Sequence, residues 1–157
     1  MKVFIVFLGI LMVSVSAMVY QGDLGAYGHE QLLLKEAAEE CAAGAALFLD
    51  EDAYSKGLVV FNYEQGETYI KNYLAYIKRN SKALSKGIIR YKTEFEDENK
   101  GYSPSNREKT PAVTVEIKVS TEDLFRGPFV EVTSLERRAR YELPEEKQKS
   151  FFYAGDS

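Results

Sequence analysis

Apolar residues follow three successive patterns along this chain. From residue 3 to residue 20, VFIVFLGILMVSVSAMVY, they form one uncharged run. From Glu30 to Asp50, EQLLLKEAAEECAAGAALFLD, they recur at helical spacing, and beyond Gly87 they alternate with polar residues two by two. The first pattern, at about 1.5 Å of helical rise per residue, is just long enough to cross a hydrocarbon layer of roughly 30 Å. The second predicts an amphipathic helix, because Leu34, Ala38, Cys41, Ala45 and Phe48 follow one another at spacings of four, three, four and three, with Ala42 beside them. Glu30, Lys35, Glu36, Glu39 and Glu40 take its polar side. This helix is expected to begin near His29 or Glu30 and to end around Asp50 to Asp52.

Between the apolar run and the helix lies a segment with Gly22, Gly25 and Gly28. Each glycine weakens a helix by about 1 kcal/mol relative to alanine, so residues 21–28 are expected to form a break or hinge. Further on, a short extended piece at Leu58 to Phe61 leads into a second helix. Asn62 is its N-cap, with Gln65 three residues later. Tyr69, Ile70, Tyr73, Leu74 and Ile77 fall on one face, which marks them as core, and Lys78 and Arg79 suit its C-terminal end.

Period two follows. Ile89, Tyr91, Thr93 and Phe95 form one strand and Val113, Val115, Ile117 and Val119 a second, each with one buried face. A third strand is expected from about Phe129 to Leu143. Its alternation slips between Val132 and Leu135, the mark of a bulge, then resumes at Arg137, Ala139, Tyr141 and Leu143. The fold class is therefore α+β, an N-terminal hydrophobic helix and then two helices packed on a three-stranded antiparallel sheet. The domain organisation is 1–20 as transmembrane anchor or signal segment, 21–28 as glycine-rich hinge, 29–143 as an extracytoplasmic domain and 144–157 as a flexible tail.

Only Lys2 precedes the apolar run, so the short basic flank stays in the cytoplasm and the long domain crosses. As an anchor, Val3, Phe4, Ile5, Phe7, Leu8, Ile10, Leu11 and Val13 insert in the membrane and Tyr20 sits at its interface with water. As a secretory signal, Val3 to Val13 form the apolar region and Val15-Ser16-Ala17 the small-residue cleavage site, giving a secreted or periplasmic binding module released near Ala17. Export is common to both.

Charge and chemistry narrow the picture. The 157 residues carry 20 basic and 24 acidic side chains; without Lys2 the balance is 19 against 24, a net of −5, which disfavours nucleic acid and anionic lipid as partners. Cys41 is the sole cysteine, so no internal disulfide exists, and its place on the helix face makes it a small core residue. The alanines around it and Gly44 allow close approach of another backbone, either the sheet of the same domain or a helix of another subunit. The loop from Asp97 to Thr110 is rich in turn formers, reads as a long mobile connection and lacks the ligand register of a calcium loop. In the tail, Phe151, Phe152 and Tyr153 suit docking on a neighbour. There is one histidine, His29, and no nucleophile motif or metal-ligand spacing, so no catalytic or metal site, cofactor or small-molecule substrate is expected.

An uncharged N-terminal helix, the continuation LLLKEAAEECAAGAALFLDEDAY, a second helix ending YLAYIKRN, and the closing pair VTVEIKVSTEDLF and VEVTSLERRARYE together resemble the TadE-like minor pilins of the tight-adherence (Tad or Flp) pilus. In that group a hydrophobic helix holds the subunit in the membrane and a small β-containing domain faces outside. The resemblance implies a membrane-anchored, surface-exposed accessory subunit of a pilus or secretion apparatus. Its partners would be other pilin-like subunits or proteins of the assembly apparatus. Type IV pilins are processed after a glycine, with a glutamate five residues into the mature helix, and residues 3 to 20 carry no such site.

Overall fold

The computed structural model describes residues 2–126 and 131–144. A single helix, α1 (Lys2–Ala46), runs from the apolar N-terminus into the core of the domain. It is followed by α2 (Glu51–Tyr54), α3 (Tyr63–Asn80), α4 (Lys82–Lys86) and the strands β1 (Ile88–Glu96), β2 (Ala112–Arg126) and β3 (Glu131–Glu142). The strands form one antiparallel sheet in the order β1-β2-β3. The α+β class is as the patterns predict, with α1 and α3 side by side on one face of the sheet.

The backbone corrects the expected break at 21–28, since α1 passes through Gly22, Gly25 and Gly28 without interruption. Three glycines cost about 3 kcal/mol of propensity. A break there would leave two further helix ends unsatisfied and would require a second nucleus, whereas a helix already formed on both sides adds one hydrogen bond per residue. His29, placed by sequence in the hinge, is thus a helical residue.

Helix α1 also ends earlier than its apolar spacing suggests. The turn tightens at Leu47 and Phe48, whose amides reach Gly44 and Ala45 at 3.3 and 3.4 Å. The chain then reverses: Asp50 N–H donates to Val60 (2.8 Å) and Asn62 N–H donates to Phe48 (2.8 Å), around a bridge between Leu49 and Phe61. Two short helices absent from the sequence reading, α2 and α4, are capped by Asp50 and Ser81, which accept from Ala53 and Leu84 at 2.8 and 3.1 Å. Asn62 caps α3 as expected, accepting from Gln65 N–H at 3.1 Å.

The core is the layer between sheet and helices. Val113, Val115, Ile117 and Val119 of the central strand are fully buried against Leu34, Ala37, Ala38, Cys41, Ala42 and Ala45 of α1, with Ile70, Leu74 and Ile77 of α3 closing one side. Small side chains on α1 let its axis lie close over β2 and β3. The register pairs Thr93 with Val115 and Ala139 with Val115, so alternate residues of all three strands share the core face.

The expected bulge is present, but its extra residues belong to the other strand. Ser120 pairs with Ser134 and Phe125 with Val132, so β2 advances five residues while β3 advances two, opposite the slip in the β3 pattern. β2 therefore runs past the expected end of its alternation. The first residues of the expected third strand, at Phe129, and the tail after Pro144 lie outside the described residues.

Candidate functional site

The most unusual surface is the N-terminal half of α1. Every residue from 2 to 26 is exposed, including Val3 at 84% and Phe4 at 68%. An 18-residue window within this helix has mean hydropathy 2.5 and none of it is buried, unlike a core helix, whose apolar residues would be covered by the domain. Val3, Phe4, Ile5, Phe7, Leu8, Ile10, Leu11, Val13 and Tyr20 all lie on this projecting rod. The apolar part is about 27 Å long, and roughly 14 Å more of helix separates it from Glu30, where α1 meets the domain. The chain thus carries an N-terminal apolar helix of membrane-spanning length, of a kind shared by anchors and signal sequences.

The residues expected to pack on the second half of α1 divide. Leu34, Ala38, Cys41, Ala42 and Ala45 are buried within the chain's own domain, so this face is not free to meet another subunit. Phe48 has left the helix and is half-buried beside Tyr69, with ring centroids 5.9 Å apart. Burial, then the neighbouring Glu40 carboxylate, pushes the Cys41 thiol up to about 12, which leaves it protonated and unreactive at neutral pH.

A groove of about 520 Å³ runs between α1 and α3. Glu30 and Ser81 close one end, Ser81 Oγ donating to Glu30 Oε2 at 2.9 Å. Tyr73 and Tyr76 line the α3 side, their rings 6.4 Å apart, and just beyond the groove the Tyr69 ring stacks on Tyr73 at 6.1 Å and 11°. Tyr69 Oη donates to Glu40 at 2.9 Å, and burial together with that carboxylate raises the phenol to about 12. Sequence spacing marked Tyr69 and Tyr73 as core, yet both are only half-buried, and Tyr76 beside them is 58% exposed. The apolar stripe of α3 is narrower than its aromatic content suggests, because the buried positions are Gly66, Ile70, Leu74 and Ile77.

The outer face of the sheet is an ionic surface. Arg90, Lys92, Lys118, Arg138 and Arg140 are balanced in number by Glu94, Glu96, Glu116, Glu136 and Glu142. The ion pairs link Glu94 to both Lys92 and Arg138, Glu136 to Lys118, and Arg140 to both Glu96 and Glu142. The least exposed pair joins Arg140 Nη1 to Glu96 Oε1 at 2.7 Å. That hydrogen bond, helped by the Asn106 amide, outweighs burial and holds the Glu96 carboxyl down to about 2. Such internal matching leaves little net field to attract a charged ligand.

The 97–110 loop is tied down rather than loosely solvated. Asp97 is fully buried and accepts from Phe61 N–H (3.1 Å), Tyr63 Oη (2.8 Å), Asn99 N–H (3.0 Å) and Lys100 N–H (2.7 Å). The acidic start weighed against a calcium site is therefore a structural knot joining the loop to the start of α3. Asn106 spans the other end, its side chain bonded to Glu96 and to both the N–H and C=O of Thr110. Among the described residues no group of three or more His, Cys, Asp or Glu could hold a metal ion. His29 lines the groove beside Glu30 and Glu36.

Sequence reasoning missed Asp97, Glu96 with Arg140, and the tyrosine-lined groove. The first had a signal in Asp-Glu-Asn-Lys-Gly, the composition of an Asx turn; the others depend on strand register and helix contact. Comparison with family models, with curated proteins and with solved structures finds no match.

Proposed function

We propose that this chain is a single-pass membrane protein whose domain stands outside the cytoplasm and works through protein contacts, as a pilin-like accessory subunit of a pilus or secretion apparatus. One observation supports it above the rest: the apolar rod and the first core element are the same continuous helix. An anchor built this way holds the domain at a fixed distance and direction from the membrane. A leader removed near Ala17 would instead leave Met18, Val19, Tyr20 and Leu24 exposed on a projecting stub. The absence of a nucleophile motif supports contact rather than chemistry as the mode of action.

The test is the chain as expressed in a bacterial host. Membranes washed with alkaline carbonate should retain it, its mass should include residues 1–17, and protease added outside the cytoplasmic membrane should digest the domain. Recovery in the periplasm or medium with Met18 as first residue would instead make it a released binding module.

A further inference from the structure

We infer that the solvent face of α3 is a docking surface for a second copy of this chain, the two anchored side by side in one membrane. The inference rests on the membrane reading above for the direction of the two copies. Its independent basis is charge. On one flank of α3 the tyrosine-lined groove carries the carboxylate of Glu36, with Glu40 beyond it on Tyr69; on the other, a smaller groove against β1 carries the ammonium groups of Lys71 and Lys78, while the nearby Glu67 carboxylate is taken up by Tyr91 Oη. Among the described residues Glu36, Lys71 and Lys78 form no ion pair. The two flanks lie at the same height of the domain, because Glu40 meets Tyr69 and Glu36 lines the groove beside Tyr73 and Tyr76.

Symmetry then selects one arrangement. A two-fold axis running along α3 turns the basic flank of each copy onto the acidic flank of the other, whereas an axis across α3 sets like charges together. The contacts of Tyr69 with Glu40 and of Ser81 with Glu30 show that α3 runs antiparallel to α1. The favoured axis therefore also follows α1, the direction in which the anchor crosses the bilayer, and both copies enter the same membrane face. Lysine side chains of the partner lie over the Tyr73 and Tyr76 rings, a cation–π contact that adds to the ion pairs. Confinement in a membrane raises the effective concentration of the copies, so a modest interface suffices.

The experiment uses the full chain in proteoliposomes. Asn72 lies near the middle of the outer face of α3, so Asn72→Cys should form a disulfide dimer on mild oxidation while buried Cys41 stays silent. Adding Glu36→Lys, or Lys71→Glu with Lys78→Glu, should lower dimer yield about tenfold, since each change replaces attraction by repulsion on both sides of the axis. Mixing those two variants should restore it, as heterodimers distinguished by mass, because in the mixed pair both flanks are again complementary. These positions are exposed, and recovery on mixing shows that each variant is folded. Cross-linking that ignores the charge changes, or equal yields of homodimer and heterodimer, would overturn the proposal. Selective pairing by a chain found soluble and cleaved would keep the interface and remove the anchor; a membrane-bound chain that does not pair would do the reverse.

Discussion

Replacing Gly44 by alanine asks whether the row of tyrosines is seated in a gap on the surface of α1. A Cβ at position 44 would lie 2.0 Å from Tyr69 Cε1 and 2.4 Å from its Cζ, where ordinary carbon contact is about 3.5–4.0 Å. The ring cannot yield by a few tenths of an ångström and must swing out of the groove. That breaks its hydrogen bond to Glu40 and its ring contacts with Phe48 and Tyr73. A partly exposed bond to a carboxylate and two aromatic pairs amount to about 2–3 kcal/mol, against which alanine regains about 1 kcal/mol of helix propensity. Gly44→Ala should therefore destabilise by about 1–2 kcal/mol. In a Tyr69→Ala background the obstacle is gone and the same change should stabilise by up to about 1 kcal/mol, so the sign reverses. Urea unfolding of the four variants in mild detergent, followed by near-ultraviolet circular dichroism, reads this directly, since the chain has eleven tyrosines and no tryptophan. Equal effects of Gly44→Ala in both backgrounds would refute the packing argument.

Two further outcomes follow from the buried carboxylates. Asp97→Asn keeps the shape but leaves one oxygen for four donors, one of them the buried Phe61 amide, and should cost about 2–3 kcal/mol in the same unfolding assay; a loss below about 0.5 kcal/mol would show that the knot is dispensable. Glu96 has its folded-state carboxyl at about 2 against an ordinary 4.5, so its pairing contributes full stability above about pH 4.5 and loses it as pH falls toward 2. The shift sets a ceiling of about 3 kcal/mol, reduced to about 1–2 kcal/mol because Arg140 is partly open to solvent. Arg140→Gln should flatten that part of the acid limb, and an unchanged limb would contradict the assignment.

Local periodicity carried most of the fold into view. The uncharged run, the spacing from Leu34 to Ala45, the Asn62 cap and the alternation at 89–95 and 113–119 each reflect a single element meeting a single environment, which neighbouring residues can report. What escaped depends on residues distant in the chain. The end of α1 is set by the pairing of Phe48 to Asp50 with Val60 to Asn62, so Phe48 kept the helical spacing without the helix. The glycines at 22, 25 and 28 signalled a break by propensity alone, yet helix on both sides carried the backbone through. Glu96 and Arg140 become neighbours only through the register of three strands, and the tyrosines became a groove wall because α1 beneath them offers alanine and glycine rather than larger side chains.

That last point bears on where partners are met. The small-residue face of α1, the feature most suggestive of helix-to-helix contact, is consumed inside the domain: Ala38, Cys41, Ala42 and Ala45 are fully covered by the chain's own sheet and α3. The outer face of the sheet carries equal numbers of acids and bases, most of them in ion pairs, so a partner would have to displace satisfied ion pairs to gain charge complementarity there. Two surfaces escape both constraints. One is the projecting half of α1, apolar enough to prefer a bilayer. The other is the solvent face of α3, where, among the described residues, Glu36 on one side and Lys71 and Lys78 on the other form no ion pair. On the pairing proposed above, selection among partners would fall to the charges of α3, while the rod would set only where and at what height the meeting takes place.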